Sequence, residues 1–75
     1  MGIVEERGKS YGSGEANLTR IAALWSAYTG TQLTAHDVCW MMLLLKASRS
    51  KQDPANTDNY LDGHGYLQLA ERLTP

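Results

Sequence analysis

The sequence predicts an all-α fold, a compact bundle of three main helices preceded by a short N-terminal helix. Three observations carry that prediction. Apolar residues recur at helical spacing over 15–29 and 58–73, Thr34-Ala-His-Asp37 reads as a capping box, and positions 38–45 are apolar without interruption.

In chain order, residues 1–9 form the short leading helix, weakened at its end by Gly8, and Tyr11-Gly-Ser-Gly14 reads as a turn. A second helix is expected over about 15–29, with Ser13 as a candidate N-cap and Gly30 just past its end. At about 100° per residue, Leu18, Ile21, Ala22, Leu24, Trp25 and Tyr28 fall within an arc of roughly 160°, and Asn17 falls inside it.

The third helix is expected over 34–48. Thr34 accepts from an amide of the first turn and Asp37 answers it, Asp being a shorter substitute for the usual Glu. No face of 38–45 is polar, so this helix has to be covered on all sides, and two sibling helices do not suffice. The remaining face is expected to meet another copy, which makes the protein a homo-oligomer through this central apolar helix.

Pro54 interrupts the stretch 48–57, and a fourth helix is expected over 58–73, capped by Asn56 or Thr57. Asp58, Asp62, Tyr66, Leu69, Ala70 and Leu73 fall within roughly 120°, so two carboxylates continue the apolar stripe. Gly63 and Gly65 mark a close approach by another backbone or a ligand.

At 75 residues, 1–75 is a single domain whose own core is marginal, a second reason to expect self-association. Seven Lys/Arg against eight Asp/Glu leave a net charge of −1, which argues against nucleic acid or an anionic membrane as partner. Cys39 is the only cysteine, excluding an intramolecular disulfide and pointing to a cytoplasmic setting. The apolar run falls far short of the roughly 20 residues a bilayer requires, and the start has no signal-peptide pattern.

Polar groups interrupt the apolar stripes of three helices. With short connections and up-down-up packing, Asn17, Lys46, Arg49, Asp58 and Asp62 converge at one end of the bundle, and Arg7, Lys9 and Tyr11 lead into it. Simple ion pairing accounts for any one pair, but less well for all of them, because a small domain gains little by burying so many polar atoms without a ligand. The alternative is a pocket in which Lys46, Arg49 and Arg7 or Lys9 face phosphate. In it, Tyr11 or Tyr66 lies against a ring, and Asn17 or an aspartate reads base or ribose edges.

Asp58 and Asp62, with Glu5 and Glu6 as further candidates, carry a permissive spacing for Mg²⁺. His36 and Cys39 have an HxxC spacing, but two ligands do not close a zinc site, and a capping-turn histidine with a buried thiol is the simpler reading. There is no GxSxG, P-loop or Rossmann fingerprint, so no residue is assigned to catalysis and no resident metal or cofactor is expected. Trp25, Trp40 and Met41-Met42 read as core or interface.

The pattern Arg7-Gly8, Tyr11-Gly12, Asn17, Ile21-Ala22, Leu24-Trp25, Tyr28, Asp37-Val38, Met41-Met42, Leu45-Lys46, Arg49, Asp58, Asp62 and Gly65-Tyr66 resembles an uncharacterised family of small phage and prophage domains. The likeness covers nearly the whole chain and implies a viral or prophage origin, hence the cytoplasm of an infected bacterial host. More distantly, the layout resembles the all-α MazG-type nucleotide pyrophosphohydrolases, helical oligomers that bind Mg²⁺ through helix-borne acids. Here Glu5-Glu6 has no third acid at the expected spacing, and Asp58-xxx-Asp62 is one residue longer than ExxD.

The leading expectation is a homo-oligomeric phage-type protein that binds a phosphorylated nucleotide, such as a cyclic signal of host defence, without turning it over. Its ligand-binding residues are Arg7, Lys9, Tyr11, Asn17, Lys46, Arg49, Asp58, Asp62 and Tyr66. The alternatives are a Mg²⁺-dependent pyrophosphohydrolase using Asp58 and Asp62, and a structural or adaptor oligomer whose polar clusters fix helix register.

Overall fold

The computed structural model contains α1 (Gly2–Thr29), α2 (Ala35–Gln52) and α3 (Thr57–Arg72), with no strand among the described residues. Side chains and their surroundings are described for residues 14–75. The expected turn at 11–14 is not formed: the expected leading helix and the helix over 15–29 are one continuous α1, since the glycines at 12 and 14 weaken a helix without ending it. The side chains of Glu5, Glu6, Arg7, Lys9 and Tyr11 lie outside the described residues.

Local chemistry sets the element ends. Gly30 adopts φ +73°, a left-handed conformation that glycine enters without a Cβ clash, and its N–H donates to the Ser26 carbonyl at 2.9 Å, closing α1. The Ser26 hydroxyl then fastens the connection. It accepts from the Leu33 N–H at 2.8 Å and donates to the Leu33 carbonyl at 3.2 Å.

The capping box is formed as expected. Thr34 Oγ1 accepts from the Asp37 amide at 3.1 Å, and Asp37 Oδ2 accepts from the Thr34 amide at 2.9 Å. These bonds hold the Asp37 carboxyl below its ordinary pKa, the Thr34 backbone N–H being the largest cause and the Thr34 side chain the next.

α2 runs four residues beyond the expected end and closes where the Asp53 N–H donates to the Arg49 carbonyl at 2.9 Å. Proline disfavours helical geometry in the residue before it and has no N–H to continue the ladder, so Pro54 takes Asp53 out of the helix and permits it up to Gln52. Asn56 caps α3 by accepting from the Asp58 amide at 2.9 Å. Two further bonds tie the turn to α3: Asn59 Nδ2 donates to the Asp53 carbonyl at 3.2 Å, and the Tyr60 hydroxyl donates to the Pro54 carbonyl at 2.8 Å.

α2 and α3 form an antiparallel hairpin. α1 does not complete an up-down-up bundle with it. The described start of α1 meets the end of α3: Glu15 Oε2 lies 3.0 Å from Arg72 Nε, and a Cβ on Gly14 would lie 3.8 Å from Leu69 Cδ1. Its other end, fastened by Ser26, leads directly into the start of α2. α1 therefore lies across the end of the hairpin where α2 begins and α3 finishes. The core sits at that crossing and comprises Leu18, Ala22, Val38, Cys39, Leu69 and Ala70, with Ile21, Trp25, Ala35, Met42 and Leu73 packed against it.

Two expected stripes are corrected. On α1, Leu24 and Tyr28 remain 67% and 92% exposed, because a crossing helix buries one ridge rather than a broad arc. On α3 Leu69 and Ala70 are buried as expected, but in its first half Asn59 and Gly63 take the buried positions, so that Asp58 and Asp62 stay exposed. Gly63 marks the close approach: a Cβ there would lie 3.4 Å from Leu43 Cδ1, whereas Gly65 has nothing within 4 Å.

Candidate functional site

The crossing of α1 separates the polar residues expected at one pole. Lys46, Arg49, Asp58 and Asp62 lie toward the hairpin turn. Asn17 is exposed on α1, one residue before core Leu18 and close to the Glu15–Arg72 end. It shares its uncovered edge of α1 with Leu24 and Tyr28, so no buried amide needs a ligand there.

Within the polar group, Lys46 Nζ lies 2.8 Å from Asp62 Oδ2, with the lysine side chain only 16% exposed and the aspartate half exposed. These two groups largely satisfy each other across the hairpin. Tyr66 stands one turn beyond Asp62 and is half-buried. Asp58 sits exposed in the first turn of α3, where its charge favours the helix N-terminus.

Arg49 is placed differently. With Gln52, Asp53, Asn56 and Asn59 it lines a polar recess of about 450 Å³ at the hairpin turn. Asn59, the one buried polar residue among those described, was not singled out from the sequence. The stripe drawn through Asp58 and Asp62 hid it, since it sits one residue away from a helical face that itself looked polar.

Neither metal constellation assembles among the described residues, where no group of three or more His, Cys, Asp or Glu side chains gathers. Cys39 is fully buried and its thiol pKa is raised, first by burial and then by the Glu15 charge. His36 Nε2 accepts from the Trp40 indole N–H at 3.3 Å, which places the ring proton on Nδ1 in the neutral form.

The most extensive feature is apolar. Along α2, Trp40, Met41, Leu44, Ala47 and Ser48 occupy the arc away from core Val38 and Cys39, and all five are exposed; Leu45, two turns beyond Val38 on the same side, is exposed because it lies past the crossing of α1. The exposures of Trp40, Met41, Leu44 and Leu45 are 43%, 40%, 66% and 44%. This arc continues over a groove between α2 and α3, lined by Leu43, Leu44, Ala47, Tyr60, Gly63 and Leu67, with a volume of about 410 Å³. His64 and Leu67 also border a second recess of about 610 Å³ toward His36, Trp40 and Glu71. No described residue of α1 lines either recess.

Fold and surface together define a small all-α domain with one covered face and one open apolar face. The chain belongs to the family described as Domain of unknown function (DUF6378), which matches residues 2–74. It is similar to phage proteins: 38% identical over 69 residues to the Gene 55 protein of Mycobacterium phage L5, and 35% identical over 68 residues to the Gene 55 protein of Mycobacterium phage D29. Each match covers 91% of this chain but 44% and 45% of the respective relative, so the chain spans under half the length of these curated relatives. No solved structure matches. The family is thereby established and these relatives are phage proteins, and no described helix is long and apolar enough to cross a membrane.

Proposed function

We propose that this chain is an assembly module of a phage protein, a helical adaptor that works through the open apolar face of α2 and α3 and catalyses nothing. The supporting observation is the continuous exposure of Trp40, Met41, Leu44, Tyr60 and Leu67 on one hairpin. Among the described residues the fully buried side chains, Val38 and Cys39, are small, whereas the larger Trp40, Met41, Leu44 and Tyr60 stay exposed. Thermal unfolding followed by circular dichroism over a hundredfold range of protein concentration tests this. Association stabilises the folded state by mass action, about 1.4 kcal/mol per tenfold in concentration for a dimer, so the midpoint should rise by several degrees. A midpoint independent of concentration would contradict the reading.

A second reading retains the phosphorylated nucleotide, in a smaller site. The recess lined by Arg49 and the amides of Gln52, Asn56 and Asn59 supports it, offering one guanidinium for phosphate and several groups for a base edge. Lys46 is engaged with Asp62, so Arg49 carries the phosphate contact. Incubation with a panel of nucleotides and cyclic dinucleotides, then chromatography before and after heat denaturation, checks it. Depletion with intact recovery is expected, and Arg49→Ala should abolish it. New products would instead favour the Mg²⁺-dependent hydrolase with Asp58 and Asp62 as metal ligands, and an unchanged panel would remove nucleotide binding.

A further inference from the structure

We infer that the occupant of the open face is a second copy of this chain, docked with its α2 antiparallel to the first about a twofold axis at Leu44. The inference rests on the assembly reading above and specifies its partner and register.

Charge placement selects this arrangement. The outer arc of α2 between Trp40 and Ser48 holds no charged residue, and it is bounded by Asp37 at one end and Lys51 at the other. These two lie on the same side of the helix, fourteen residues and about 21 Å apart. A parallel pair would set Asp37 beside Asp37 and Lys51 beside Lys51. An antiparallel pair centred on Leu44 sets each Asp37 opposite the other copy's Lys51, twice, and opposes the two helix dipoles. Asp37 has one carboxylate oxygen engaged in the capping box, Oδ2, and Lys51 is exposed. Both charges also suit the ends of their own helix; that role does not require the arc between them to be uncharged.

Area agrees with a pair of copies. The exposed fractions of Trp40, Met41, Leu44, Tyr60 and Leu67 amount to roughly 500 Å² per copy, or about 1,000 Å² for the pair, the least that a specific interface buries. Leu44, the most exposed of these, lies beside the groove bordered by Gly63 and Leu67, so a projecting leucine is next to a shallow receiving surface. Such a surface is self-complementary, as an isologous interface requires.

Two single-cysteine additions test the register: Leu44→Cys and Lys51→Cys, each treated with a short bismaleimide, with the unmodified chain as control because Cys39 is fully buried. About a twofold axis at residue 44, the two introduced thiols meet in Leu44→Cys and stand about 21 Å apart along the helix in Lys51→Cys. The expected result is at least tenfold more cross-linked dimer for Leu44→Cys than for Lys51→Cys. Equal cross-linking of both would show a parallel pair and overturn the inference. Neither variant cross-linking, in samples that light scattering finds dimeric, would place the interface elsewhere and leave the assembly reading standing. Neither cross-linking in samples that are monomeric, as when a further segment of a longer protein covers the face, would remove both.

Discussion

The two faces of α2 carry similar side chains and meet different surroundings. On the inner face, Val38 and Cys39 are fully enclosed by Leu18, Ala22, Leu69 and Ala70. On the outer face, Trp40, Met41 and Leu44, equally apolar, remain open. Apolar character alone does not decide burial in a chain this small. The crossing of α1 does, because it covers the hairpin at one end and on one side only. The inner face stabilises the folded chain, whereas the outer face contributes only when something covers it.

Substitutions on the two faces should therefore fail in different ways. The largest effect is expected from Leu69→Ala in the core, a loss of about 3 kcal/mol in urea unfolding at every protein concentration. Leu44→Lys should change the stability of the single chain by less than about 0.5 kcal/mol, since the side chain is mostly in water. It should nevertheless abolish the concentration dependence of the unfolding midpoint. If Leu44→Lys unfolded the chain as Leu69→Ala does, the distinction between the faces would fail.

The parts of this architecture legible in the sequence are those set by neighbouring residues. Thr34 with Asp37, Gly30 past α1 and Asn56 before α3 are local signals, and each does what its position implies. The crossing of α1 depends instead on contacts between distant residues, Glu15 with Arg72 and Gly14 with Leu69, which helical periodicity does not encode. For that reason Leu24 and Tyr28 read as buried, and Asn17 read as a neighbour of Lys46. In the first half of α3 the expected stripe departs from the buried face for a physical reason too, while Leu69 and Ala70 are buried as expected. Gly63 lacks a side chain to register as apolar and Asn59 is polar, so the buried face was the less hydrophobic one by sequence. Of the candidate site, the proximity of Lys46 and Asp62 was readable from helix ends and spacing; the Arg49 recess depends on the hairpin turn.

Smaller effects sharpen the inner face. Thr34→Ala removes the hydroxyl that caps α2 and should cost about 1 kcal/mol by thermal or urea unfolding. Asp37 has a lowered folded-state pKa, so its stabilisation is present at pH values above its ordinary pKa and is lost as pH falls through the lowered one. Unfolding measured along a pH series should show that acid loss, and Thr34→Ala should blunt it only in part, because it removes the side-chain hydrogen bond and keeps the backbone N–H that is the largest cause. The Cys39 thiol, enclosed and raised in pKa, should react with a thiol reagent only as fast as the protein unfolds. Immediate labelling in the folded protein would mean that the inner face opens as readily as the outer.

Sedimentation equilibrium of the unmodified chain across low micromolar loading concentrations bears most directly on the open face of α2. The weight-average mass should approach twice that of one chain and fall toward one chain on dilution. The mass of a single chain throughout that range would contradict an interface on the Trp40–Leu44 arc.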